Sequence, residues 1–162
     1  MPSLIPPDPP LNVVLVAPQI PPNTGNVART CAVTGSRLHL VGPLAFSLDE
    51  KSLRRAGLDY WASVEPQVYP SWSAFEQRSL QGAAARLHLF TGRTERSLFD
   101  ATFTAGDFLV FGSEGLGLPP ALLAAHPGRC VGIPLVPGQR SLNLATAAGI
   151  GVYAALRQLR RG

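Results

Sequence analysis

Residues 11–35 read LNVVLVAPQIPPNTGNVARTCAVTG, and the architecture turns on how this stretch divides. LNVVLVAP (11–18) is a short, unbroken, β-branched run ended by proline, the pattern of a strand buried on both faces. PPNTGNVARTCAVTG opens on prolines and an Asn23/Thr24 capping signal and stops at Gly35, which frames a helix of about three turns. In that helix Val27, Cys31 and Val33 are expected to turn toward the sheet, while Asn26 and Arg29, three apart, share another face. A buried strand leading straight into a helix is the first half of a parallel crossover unit.

The alternation continues along the chain. RLHLVG (37–42), RLHLFTG (86–92), DFLVFG (107–112) and RCVGIPL (129–135) read as further strands, and VEPQVYP as a weak strand or loop. Between and after them, SLDEKSLRRAG, SWSAFEQRSLQG, LPPALLAAHP and the closing LNLATAAGIGVYAALRQLRR carry helix start and stop signals. The expected fold is α/β, a mostly parallel sheet with helices on both faces. One domain over residues 11–162 suits the length, preceded by a proline-rich flexible arm over 1–10.

Fourteen Lys and Arg against ten Asp and Glu give a net charge of +4, and Lys51 is the only lysine. Arginine suits two-pronged contact with phosphate, so the charge leans toward a nucleic acid or another polyanion. Cys31 and Cys130 stand far apart with no CxxC or histidine-spaced cluster, which indicates neither a disulfide framework nor a metal site and suits a reducing cytoplasm. The longest apolar run, 142–156, is interrupted by Asn143 and Thr146 and is too short for a membrane span.

The usual nucleotide and hydrolase fingerprints are missing. There is no GxxxxGK[ST], no GxSxG, and no GxGxxG after the first strand. His39 and His88 lie within strand-like runs, as structural histidines do, and His126 reads as a helix-end residue. Polar residues gather instead in three segments: NTGNVART, FGSEGLGLP (111–119) and IPLVPGQRSLNLATAAG (133–149). In the second, glycines allow close backbone approach and Glu114 supplies a charge suited to hydroxyl or amine groups. In the third, Ile133, Leu135 and Val136 offer an apolar wall, and Arg140, Ser141 and Asn143 offer donors at the start of a helix.

In this order the three segments, together with LRRAGLDYW, resemble the successive motifs of the SpoU branch of the SPOUT RNA methyltransferases. The similarity runs from Leu11 to about Arg160 and is greatest to the TrmL-type tRNA 2′-O-methyltransferases, which modify the wobble nucleotide, cytidine or modified uridine. The resemblance implies a C-terminal deep trefoil knot and a homodimer whose active site lies at the subunit interface. It implies S-adenosylmethionine held by Phe90, Thr91, Gly112, Glu114, Ile133, Ser141 and Leu142. Arg29 is implied as the central catalytic residue, with Asn26, Ser141 and Asn143 fixing orientation. The substrate implied is the anticodon loop of tRNA, met by Arg54, Arg55 and Arg140 and stacked on Tyr60. Alternatives in view of the sequence are a 2′-O-methyltransferase for another tRNA position or for rRNA, and a catalytically silent RNA-binding homologue. Two departures from the family pattern are Gly115-Leu116 after Glu114, where a basic residue is common, and Ala145 in place of a serine.

Overall fold

The computed structural model describes residues 9–55 and 60–160; most of the expected proline-rich arm and the middle of LRRAGLDYW lie outside them. Strands β1 (Leu11–Val16), β2 (Arg37–Val41), β3 (Gln67–Tyr69), β4 (Leu87–Phe90), β5 (Asp107–Phe111) and β6 (Cys130–Val131) form one sheet in the order β3-β2-β1-β5-β4-β6. Every pairing is parallel.

Both faces of the sheet are covered, because alternate residues of the same strands feed two cores. Leu11, Val13, Leu15, Leu38, Leu40, Leu109 and Phe111 pack with helix α1 (Pro21–Thr34) and the closing helix α6 (Leu144–Leu159). Val14, Val16, Leu87, Leu89, Phe108 and Val110 pack on the other side with α4 (Trp72–Phe75), the π-helical turn that follows it and α5 (Pro120–Ala125). Two short helices, α2 (Glu50–Arg55) and α3 (Trp61–Val64), complete the connection from β2 to β3; α3 lies on the α1 side, where Trp61 and Val64 pack against the first core.

Three local expectations are corrected. Val33 points outward and is 59% exposed; the inward positions of α1 are Val27, Cys31 and Thr34, which keep the helical spacing of four and three that residue 33 breaks. Neither Asn23 nor Thr24 caps α1: the cap is Ile20, without a side-chain bond, and both polar residues are buried in the first turn. The strand expected over 129–135 pairs regularly only at Cys130–Val131, since Gly132 turns to bond the loop at Arg96 and Leu98 and Pro134 cannot donate to a ladder.

That loop, the connection from β4 to β5, lies against α6. The Gln158 side chain accepts from the Phe103 amide at 2.9 Å and donates to the Ala101 carbonyl at 2.8 Å. Gly151 faces the aromatic pair Phe90 and Phe111; a Cβ there would sit 2.9 Å from the Phe90 ring. Small residues in α6 thus let the helix settle against the strand ends that open into the site.

Candidate functional site

The carboxyl ends of β4, β5 and β6 and the turn before α6 enclose a cavity of about 410 Å³. Its wall contains Phe90, Thr91, Gly112, Glu114, Ile133, Ser141 and Leu142, and Arg140 reaches the same space. The sequence names these residues from three separated segments, and the topology brings them together because β5 and β4 are neighbours in the sheet. Arg93, Leu135 and the exposed Leu116 also line it.

Gly112 is required by the close return of its own loop. A Cβ at this position would lie 2.0 Å from the Gly117 carbonyl carbon and 2.1 Å from the Leu118 nitrogen. Ser113 and Gly117 exchange backbone bonds across the turn, and Gly117 takes a positive φ of 71°. The loop is therefore tight, with main chain rather than side chains bordering the cavity at that point.

The polar residues of the three segments form one chain of hydrogen bonds. Glu114 accepts from the amides of Gln19 at 2.8 Å and Ile20 at 3.0 Å, and from the Asn23 side chain at 3.3 Å. Asn143 donates to Asn23 Oδ1 at 2.9 Å while its own Oδ1 accepts from the amides of Ala145 and Thr146. Glu114 thus fastens the segment leading into α1, which begins with Pro21 and Pro22 and has no side-chain cap of its own. Asn143 caps α6. Burial works to raise the Glu114 pKa, but bonds from Gln19, from its own amide, from Ile20 and from Asn23 outweigh it and hold the carboxyl below its ordinary value.

Asn23 is the member that sequence reading assigned only a local capping role. Its signal is a polar residue inside the first turn of a helix begun by two prolines, which has no local use for a cap. The other first-helix residues lie apart from the cavity in this subunit. Asn26 and Arg29 are exposed and do not line it. The Arg29 guanidinium stacks on the Tyr60 ring, 4.5 Å from its centroid, and donates to the Tyr60 hydroxyl at 3.2 Å. One face of Tyr60 is thereby taken by Arg29. Arg54 and Arg55 are exposed in the last turn of α2.

The family described as SpoU rRNA Methylase matches residues 10–153. The chain belongs to this family. Among relatives of the methylase, the tRNA (cytidine(34)-2′-O)-methyltransferase of Burkholderia ambifaria is 49% identical over 148 residues, covering 91% of this chain and 94% of that protein. The enzyme of the same name from Saccharophagus degradans is 46% identical over 151 residues, with 91% and 95% covered. A solved structure concerned with 2-OH methylation of C/U34 on tRNA superposes with a TM-score of 0.85 at 47% identity, covering 94% of this chain and 97% of that one. The SpoU methyltransferase AviRb from Streptomyces viridochromogenes, in complex with AdoMet, superposes with a TM-score of 0.77 at 26% identity, covering all of this chain and 64% of that one.

Proposed function

We propose that the methylase transfers a methyl group from S-adenosylmethionine to the ribose 2′-oxygen of nucleotide 34 in the anticodon loop of tRNA. The similarity to the position-34 enzymes supports the substrate, since it extends over nearly the whole of both chains. The observation that carries the reading at the site is the joining of Asn23, Glu114 and Asn143 beside a cavity with a tight main-chain border at Gly112. These residues fit the cofactor. A hollow of about 410 Å³ falls within the usual range for small-molecule sites, ~300–1,000 Å³. Apolar Ile133, Leu135 and Leu142 suit the adenine ring, while Ser141, Thr91 and the main chain near Gly112 offer polar partners.

Bound there, S-adenosylmethionine supplies an electrophilic methyl group. The protein's part is alignment and help with the hydroxyl proton. A guanidinium stays protonated, so Arg29 stabilises the developing negative charge on the 2′-oxygen and holds the adjacent phosphate. Ser141 and Asn26 orient the sugar. Glu114 and Asn143, with their oxygens already committed, keep the starts of α1 and α6 in register. Arg140, Arg54 and Arg55 meet RNA phosphates.

Arg29 reaches a cavity only across a two-fold interface in this reading, and the functional unit is a homodimer. α1 and α6 pack side by side and expose Val33, Ile150 and Tyr153, an apolar face suited to a second copy. The C-terminal segment forms a deep trefoil knot in this reading, which the bonds of Gln158 in α6 to Ala101 and Phe103 of the β4–β5 connection support. The place of action is the cytoplasm, where tRNA is matured; among the described residues no helix is long and apolar enough to cross a membrane.

Two measurements test the proposal. Mass-spectrometric mapping of ribose methylation in tRNA from cells with and without the protein should show methyl lost at position 34, and an unchanged position 34 would refute the substrate. Mixing inactive Arg29→Ala protein with inactive Ser141→Ala protein should restore part of the activity through mixed dimers. No recovery on verified subunit exchange would refute a shared site.

A further inference from the structure

A second cavity, about 560 Å³, opens at the amino edge of the sheet, the edge opposite the methyl-transfer cavity, and shares none of its residues. The six residues of β1 separate the two edges by about 20 Å. Three arginines wall it, and each comes from a different element: Arg37 begins β2, Arg78 lies in the π-helical turn after α4, and Arg86 immediately precedes β4. Among the described residues no aspartate or glutamate lines it.

The three cations are not equivalent. Arg86 is tied down, with its Nε 3.3 Å from Asp107 Oδ1 and another nitrogen donating to the Ala105 carbonyl. Arg37 and Arg78 are exposed, and among the described residues neither guanidinium has a hydrogen-bond or ion-pair partner. The floor beneath them is a hydrogen-bonded network. Buried Asn12 donates to the Gly106 carbonyl at 2.9 Å and meets His39 Nε2 at 3.0 Å, while His39 Nδ1 meets the Tyr69 hydroxyl at 3.0 Å. Burial and then the charge of Arg37 push His39 down to about 4, so the floor stays neutral and cannot answer the arginines.

We infer that this cavity binds a phosphate group through Arg37, Arg78 and Arg86. Like charges facing one hollow repel, and an anion seated among them adds attractions that offset that repulsion. The planar fork of a guanidinium matches two phosphate oxygens at once, which a solvated lysine does not do as well. Leu80 and Phe108 give the cavity an apolar flank beside the cations. Two sources carry this chemistry. One is the backbone of the RNA substrate, a polyanion large enough to span both edges of the sheet; the other is a free nucleotide.

The experiment uses the full-length protein, its Arg37→Gln/Arg78→Gln double variant and, as a control for net charge, Arg160→Gln. Fluorescence anisotropy with unmodified tRNA is read across a salt series, and thermal shift is read with AMP and with inorganic phosphate. Calorimetric S-adenosylmethionine affinity and the melting temperature check that each variant is folded. If the RNA backbone is the source, the double variant binds tRNA about tenfold more weakly near physiological salt, and its salt slope falls by roughly 1.4–1.8 against less than about 1 for the control. If a free nucleotide is the source, AMP raises the melting temperature of the parent but not of the double variant, and the tRNA slopes agree. Either outcome supports the site. Matching tRNA affinities per charge removed, together with no AMP or phosphate shift in the parent, would overturn it.

Discussion

The two edges of the sheet are held by different means. At the carboxyl edge, main chain meets main chain at Gly112, and the half-exposed Glu114 and exposed Asn143 link the starts of two helices through the buried Asn23. At the amino edge, buried side chains do the holding. Asn12, His39 and Tyr69 form one network, and Asp107 gathers His88, Thr104 and Arg86 into another. Groups that must open to a ligand are left accessible at one edge, while at the other polar groups are placed where burial strengthens their mutual bonds. Substitutions in the cavity wall at the first edge should therefore cost function before stability, and in the buried networks of the second the reverse.

The largest expected effect is at Gly112. Its missing Cβ is a backbone-to-backbone contact, so Gly112→Ala must push the Gly117–Leu118 strand of the loop outward. S-adenosylmethionine affinity is expected to fall at least a hundredfold by calorimetry, with stability reduced by about 1–3 kcal/mol from overpacking. Near-parental affinity would show that the loop border is not part of the cofactor wall.

His39 supplies the contrasting case. Its folded pKa is lowered to about 4 from 6.5, so the unfolded chain binds the proton more readily. The contribution to stability is complete above pH 6.5 and is lost as pH falls toward 4, by roughly 3 kcal/mol at 1.36 kcal/mol per unit. Denaturant unfolding at pH 7 and pH 4.5 should show most of that loss in the parent, and a His39→Gln variant should show a clearly smaller loss. Equal pH dependence in the two proteins would mean that His39 is not the titrating group.

How much of this was legible in the sequence follows from the range of each interaction. The strands and long helices are written in runs of neighbours, β-branched clusters and Pro/Gly boundaries, and the parallel sheet follows from their alternation. Motif order named residues that the fold brings together: Phe90, Gly112, Ile133 and Ser141 are far apart in the chain yet line one cavity. What stayed hidden is the partnership between distant polar atoms. Asn23 looks like a local cap because a capping residue and a network residue have the same composition, and only the fold shows its side chain donating to Glu114, 91 residues on. Arg29 shares a face of α1 with Asn26, but a helical face has no means of announcing that the Tyr60 ring, 31 residues on, will stack on its guanidinium.

Glu114→Gln tests the bridge at the carboxyl edge with a smaller effect. The amide keeps one acceptor oxygen but offers a donor toward amides that are themselves donors, so one of the bonds from Gln19, Ile20 and Asn23 is lost. A stability loss of about 1 kcal/mol is expected, the net size of one hydrogen bond. The pH sign is also fixed: a carboxyl held below its ordinary 4.5 contributes stability that is present above that value and is lost as pH falls through the folded value. The parent should therefore lose melting temperature more steeply than the variant below about pH 4.5. A variant as stable as the parent at pH 7 would put the bridge among dispensable contacts.

The smallest stability effect should come from Tyr60, which belongs to neither edge and is half-exposed beside α1. An exposed cation–π contact is worth about 0.5–1 kcal/mol, so Tyr60→Leu should shift unfolding by no more than that. Under the proposed function its consequence for turnover should be larger, because it frees the Arg29 side chain from the Tyr60 ring that now holds it. Tyr60→Phe separates the two contacts: the ring still faces the guanidinium, and only the 3.2 Å hydroxyl bond is removed. With saturating S-adenosylmethionine, the leucine variant is expected to lose about tenfold in kcat with modest change in KM for tRNA, and the phenylalanine variant about twofold. Should both variants instead raise KM equally with kcat preserved, Tyr60 acts by stacking on RNA, and its hold on Arg29 is incidental to catalysis.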